Sequence, residues 1–237
     1  NPEAIETCDK TVLNGGLKEL KNNIDKTKIT ENIEAMNLIE IHEDTEEKKQ
    51  LKRNNILENS KQYPLTLCLS QEEAKPFWQI RKRGVESLSR LSGDKKPIAF
   101  IEDTVVPPKS LKAYLTELIT LLKEHKVKFG LYGHVDVGCM HLRPLLNLES
   151  EVDRQLIQQL SHQVLNLVKK YHGNFWGEHG KGLRTHLILD LYSESFYKSL
   201  SNLKRILDPQ QKLNPGKIGT PIEQLKSLKE LDQFILG

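Results

Sequence analysis

The 237-residue sequence has no apolar run near the ~20 residues a membrane-crossing helix needs. Cysteine is scarce: Cys8, Cys68 and Cys139 lie far apart, with no C-x-x-C pair. An odd count without paired spacing argues against a disulfide framework and for a reducing compartment. It also excludes a four-cysteine iron–sulfur cluster built from these residues alone. Aromatics make up 6% and the net charge is only +3, with no basic stripe interleaved with aromatics, so nucleic-acid binding is not expected. Basic and acidic residues alternate, as in Glu46-Glu47-Lys48-Lys49, the pattern of a solvated helix face. No G-x-G-x-x-G segment or comparable diphosphate cradle occurs. The first residues are neither basic nor apolar enough for a signal peptide. The missing initial Met predicts a segment of a longer protein.

What is present is a soluble, globular composition, 37% hydrophobic and 28% charged, enough for one large domain or two small ones. Apolar spacing predicts a short helix over 2–13, broken by Asn14-Gly15-Gly16. Residues 17–34 are polar and charged. Strands are expected at 36–42, 65–69, 97–106, 128–133 and 140–145. Helices are expected at 45–61, 71–91, 109–126, 151–171, 193–207 and 222–235. The alternation favours an α+β fold: an antiparallel sheet with helices on one face, ferredoxin-like. Residues 1–35 read as a helical or irregular excursion, 36–190 as the α+β domain, and 191–237 as a C-terminal helical segment.

Chemistry concentrates in two stretches. Gly133-His134-Val135-Asp136-Val137-Gly138-Cys139-Met140-His141 places two histidines seven apart. On one straight strand that offset separates them; a helix is disfavoured by the glycines and valines. A strand, a tight turn at Asp136-Val137-Gly138 and a returning strand would let the imidazoles converge. The second stretch is Trp176-Gly177-Glu178-His179-Gly180-Lys181-Gly182, too glycine-rich for a stable helix and suited to close approach by a ligand. Two histidines and a carboxylate are a common ligand set for Zn, Mn or Fe(II). A separate neutral histidine can take a hydroxyl proton. Each piece alone is weak: a histidine pair is more often structural, and a Glu-His pair is often a surface loop. A metal-dependent hydrolase and a non-catalytic ferredoxin-like binding module fit the same spacing.

Taken in order, G-H-x-x-x-G-x-x-H, W-G-E-H-G-K-G and L-D-P-x-x-x-L-N-P-G-K-I resemble the C-terminal domain of FAD-linked oxidases of the D-2-hydroxyacid dehydrogenase type. That family includes D-lactate, D-2-hydroxyglutarate and glycolate dehydrogenases. Gly138-Cys139-Met140-His141-Leu142-Arg143-Pro144 is most similar to a bacterial subgroup in which a flavin module and an iron–sulfur module share one chain. The resemblance implies a metal, Zn or Mn, on His134, His141 and Glu178, and His179 as the base. It implies Arg81, in Phe77-Trp78-Gln79-Ile80-Arg81, on the substrate carboxylate. Arg143 and Lys181 would contact a second carboxylate, and Asn214 would return toward the flavin. It further implies FAD held mostly by a separate domain of the full-length chain, a small D-2-hydroxyacid substrate, and an iron–sulfur cluster outside this segment. The expected location is cytoplasmic, with peripheral attachment at the inner membrane as the alternative. Val85 and Ile101 stand where hydroxyglutarate-type relatives carry Thr and Lys, so the resemblance does not fix the acid. The electron acceptor is also left open.

Overall fold

A computed structural model describes residues 2–20, 33–91, 93–180 and 182–223. Its centre is a six-stranded sheet in the order β2-β1-β5-β6-β3, with β4 also pairing with β6. The strands are β1 (Ala4–Asp9), β2 (Ala35–Glu40), β3 (Lys96–Pro97), β4 (Thr104–Val105), β5 (Phe129–His134) and β6 (Cys139–Leu146), all paired antiparallel. The helices are α1 (Lys10–Glu19), α2 (Glu46–Asn59), α3 (Gln71–Leu88), α4 (Leu111–Glu124), α5 (Glu151–Lys170), α6 (Ile188–Leu191) and α7 (Glu194–Leu207). The class is α+β with an antiparallel sheet, as the alternation predicted.

Side chains alternate across each strand, so the sheet separates two apolar clusters. On one face Leu131, Met140 and Leu142 pack with α4 and α5 through Leu118, Leu122, Leu160 and Val164. On the other, Cys8 and Tyr132 pack with α1 and α3 through Val12, Leu13, Phe77, Ile80 and Leu88. Helices expected on one face therefore cover both. The second set belongs to the N-terminal segment and α3, whose apolar stripes need a surface of their own.

Residues 2–13 depart from expectation. Ile5, Cys8, Val12 and Leu13 fit a helical period, yet residues 4–9 form β1, between β2 and β5. The helix starts only after Asp9, whose side chain accepts from Val12 N and caps it. Gly15-Gly16 does not end this helix but lies inside it. A Cβ on Gly16 would stand 2.1 Å from the Ile80 carbonyl oxygen, so the glycine lets α1 press against α3. The expected strand at 65–69 forms no ladder with the described residues; Leu65 and Leu69 are exposed and α3 begins at Gln71. The strand expected over 97–106 divides into β3 and β4, because residues 100–103 bend inward and bury Phe100, Ile101, Glu102 and Asp103. The helix expected over 222–235 lies outside the described residues from 224 onward. No described helix is long and apolar enough to cross a membrane.

Candidate active site

β5 and β6 form the expected hairpin, with Tyr132 opposite His141 and His134 opposite Cys139. Residues 132 and 134 share one face of β5, so this register brings His134 and His141 to the same side. Gly138 in the turn has φ +73°, and a Cβ there would lie 2.0 Å from the Val106 carbonyl oxygen. Both facts require glycine. The two imidazoles meet edge to face with centroids 5.2 Å apart.

The loop carrying Glu178 and His179 is held by one residue. Asp103 is fully buried and has φ +72°, a left-handed backbone unusual outside glycine. Its carbonyl oxygen accepts from Gly177 N at 2.7 Å. Its carboxylate accepts from Glu178 N at 2.9 and 3.0 Å and from His179 N at 3.0 Å. Three consecutive amides thus converge on Asp103. Gly177 is packed so closely that a Cβ would stand 2.5 Å from Cys139 Sγ. Phe175 and Trp176 anchor the loop's start in the core.

This scaffold delivers Glu178 Oε1 to three histidines. It lies 3.1 Å from His134 Nε2, 2.9 Å from His141 Nε2 and 3.3 Å from His179 Nε2. The His141 and His179 rings stack at 4.8 Å. His134 also places Nδ1 2.6 Å from Glu6 Oε1. A neutral imidazole donates through one nitrogen only. With Nδ1–H given to Glu6, the Nε2 lone pair faces a carboxylate oxygen, an arrangement that invites a cation. Two imidazole nitrogens and a carboxylate, with a second carboxylate behind one imidazole, are a donor set that fits a divalent ion. Burial, then the neighbouring His179, holds the His141 ring below the usual imidazole range, and its Nδ1 has no hydrogen-bond partner among the described residues. A neutral ring is the form a metal requires.

Donor atoms of Asp103, Cys139, His141 and Glu178 also lie within 4.8 Å of one another. Asp103, however, is occupied by the loop amides. Burial and then Asp103 push the Cys139 thiol up to about 12, and Sγ donates to Asp103 Oδ1 at 3.5 Å. His134, His141 and Glu178 therefore form the more available set.

Two glutamates that sequence reasoning missed complete the site, each joining an imidazole to a guanidinium. Glu6 contacts His134 through Oε1 and Arg81 Nη2 through Oε2, the latter at 2.8 Å. Glu102 contacts His179 Nδ1 through Oε1 at 3.3 Å and accepts from Arg143 Nε through Oε2 at 2.6 Å. Both guanidiniums lie against the Tyr132 ring, at 5.2 Å for Arg81 and 5.8 Å for Arg143. The signal for Glu102 and Asp103 was legible: two carboxylates at the end of the apolar run Ile98–Ile101 would be costly to bury unless they had partners. Glu6 is hidden because residues 2–13 satisfy a helical period.

The structure thus gathers His134, His141, Glu178, His179, Arg81 and Arg143. Lys181 lies outside the described residues. Asn214 is exposed on the turn after α7, with φ +51°, and is not part of this cluster. Val85 and Ile101 pack into the apolar clusters.

The family described as FAD linked oxidases, C-terminal domain, matches residues 1–218. The chain is 39% identical over 162 residues to a D-2-hydroxyglutarate dehydrogenase of Haemophilus influenzae, covering 68% of this chain and 16% of that protein. It is 39% identical over 155 residues to the Escherichia coli protein of the same name, covering 65% and 15%. A D-lactate dehydrogenase of Archaeoglobus fulgidus is 28% identical over 127 residues, covering 53% and 28%. The chain therefore spans about one sixth of the length of its more similar relatives. In fold it is similar to the 4-ethylphenol oxidase of Gulosibacter chungangensis, with a TM-score of 0.56, 13% identity, and coverage of 91% of this chain and 47% of that one. The chain belongs to the family of FAD-linked oxidases, as their C-terminal domain.

Proposed function

We propose that this chain is the substrate- and metal-binding part of a flavin-dependent dehydrogenase that oxidises a D-2-hydroxyacid to the 2-oxoacid. The observation that carries the reading is the convergence of three histidine Nε2 atoms on Glu178 Oε1, with Arg81 and Arg143 against the neighbouring Tyr132 ring.

His134, His141 and Glu178 would hold a divalent ion, zinc or manganese by donor type. Such an ion supplies Lewis-acid polarisation of the substrate hydroxyl and an anchor for its carboxylate. The chain's own residues do the rest. Arg81 offers its remaining N–H groups to the substrate carboxylate, since one Nη is already directed by Glu6. Arg143, held through Nε, keeps its other donors for a second polar group of the acid. His179 would take the hydroxyl proton on Nε2 as the carbon–oxygen double bond forms; FAD, when bound, would supply the acceptor for the α-hydrogen and its electron pair. His141, itself buried, stacks on the face of the His179 ring and helps fix its plane.

FAD would be bound mostly by a domain outside these residues. α7 offers that domain an apolar surface: Phe196, Leu203, Ile206, Leu207 and, on the following turn, Leu213 are exposed. Asn214 and Lys181 remain candidates for flavin and carboxylate contacts. The electrons would pass on through an iron–sulfur module elsewhere in the full-length protein. The test is an assay of that protein against a panel of D-2-hydroxyacids with a dye acceptor. Turnover of at least one acid, lost in His179→Ala, is expected. No turnover of any D-2-hydroxyacid, or an unaffected variant, would refute the reading.

A further inference from the structure

Glu102 is 7% exposed and fixed from three directions. The following residue is the loop clamp Asp103. Its own carbonyl accepts from Arg184 Nη1, a buried guanidinium. Its Oε2 is bound by Arg143 Nε at 2.6 Å. Little freedom is left to Oε1, which lies 3.3 Å from His179 Nδ1. We propose that Glu102 is the positioning residue of His179: it accepts Nδ1–H, selects that tautomer and presents an unprotonated Nε2 to the substrate hydroxyl. The inference rests on the reading of His179 as the base.

The neighbouring groups favour this assignment over its rivals. Asp103 Oδ1 is 3.8 Å from the same Nδ1, and it already accepts from Glu178 N and the Cys139 thiol. The carboxylate on the other side, Glu178 Oε1, is shared among three imidazoles and belongs to the metal set. A carboxylate behind the far nitrogen of a base does two things. It sets which nitrogen carries the proton before reaction, and it stabilises the imidazolium formed when the hydroxyl proton arrives. Arg143 holds Glu102 in place through Oε2, so the substrate-side guanidinium and the base are tied through one side chain. Glu6 does the same for His134 and Arg81.

The test uses the full-length, flavin-loaded protein, reduced anaerobically by its D-2-hydroxyacid in a stopped-flow instrument. Four proteins are compared: wild type, Glu102→Gln, His179→Ala and the double variant. Glu102→Gln is expected to slow flavin reduction at saturating substrate by about tenfold or more, and to change substrate affinity less than about threefold. It should have no further effect on top of His179→Ala, because the two act as a unit. In protein labelled with ring-15N histidine, the resonance missing from His179→Ala should report protonated Nδ1 in wild type and protonated Nε2 in Glu102→Gln. Equal slowing in both backgrounds would overturn the proposal alone, as would an effect confined to affinity, which would place Glu102 with Arg143 instead. A normal His179→Ala would overturn the base assignment and this proposal together. Glu102→Asp, which keeps the charge but shortens the reach, should show the same dependence on His179 if Glu102→Gln does not fold.

Discussion

Glu6 and His134 are direct cross-strand partners on β1 and β5, and Glu6 Oε1 reaches His134 Nδ1 at 2.6 Å. Strand register, rather than a flexible loop, thus sets the tautomer of a proposed metal ligand. Removing the negative charge while keeping the shape, in Glu6→Gln, should weaken zinc or manganese binding by about 10–100-fold. Competition against a fluorescent chelator measures this directly. An unchanged affinity would show that Glu6 lends His134 no support.

Glu178 Oε1 lies within 3.3 Å of Nε2 on His134, His141 and His179. If a cation belongs among these atoms, binding it stabilises the folded chain by mass action. At a free metal concentration near 100 times Kd the gain is about 2.7 kcal/mol. Added metal should raise the unfolding midpoint of wild type and leave that of His141→Ala unmoved. A shift of equal size in both would place the ion elsewhere.

His134, His141, Glu178 and His179 are close in sequence to glycines that mark a hairpin turn and a loop, so local backbone chemistry made their convergence plausible, while their separate roles came only from the family resemblance. Strand β1 was not legible because Ile5, Cys8, Val12 and Leu13 satisfy a helical period while belonging to two elements. Only the pairing with β2 and β5 decides between the readings, and that pairing is long-range. Residues 65–69 differ the opposite way: the alternation is present but the segment joins no ladder among the described residues. Glu6 went unseen because its partners lie 75 and 128 residues away; for Glu102 the apolar run before it signalled burial, but not the Arg143 partner 41 residues away.

Asp9 caps α1 through Val12 N, yet burial raises its carboxyl from 3.8 to about 6. A folded-state value above the unfolded one means that the native protein holds the proton more tightly. The associated stability is fully present below about pH 4 and is lost as pH rises through about 6. Asp9→Asn keeps a good cap and cannot ionise. Its stability relative to wild type should therefore improve between pH 4 and 6. The gain should be on the order of 2–3 kcal/mol, because each tenfold change in proton affinity is worth about 1.4 kcal/mol. Denaturant midpoints of both proteins across that range measure it. A parallel pH dependence would contradict the burial argument.

Gly15 and Gly16 show why the N-terminal segment is hard to read from sequence, and they can be tested separately. A Cβ on Gly16 meets the Ile80 carbonyl oxygen at 2.1 Å and the Ile80 carbonyl carbon at 2.8 Å, both backbone atoms of α3. A Cβ on Gly15 meets the Ser87 hydroxyl at 1.9 Å, a side-chain atom that can rotate away. In an isolated helix alanine would be preferred at both positions by about 1 kcal/mol. Here Gly16→Ala should instead cost about 1–3 kcal/mol through overpacking, and Gly15→Ala clearly less. Chemical denaturation of the two variants decides it. α3 also carries Arg81, whose guanidinium meets Glu6 and Tyr132. Forcing the helices apart at Gly16 should therefore weaken substrate binding as well as stability, which Gly15→Ala should not. Equal costs at the two positions would mean that the crossing is not held by backbone contact, and that the glycines mark a helix end after all.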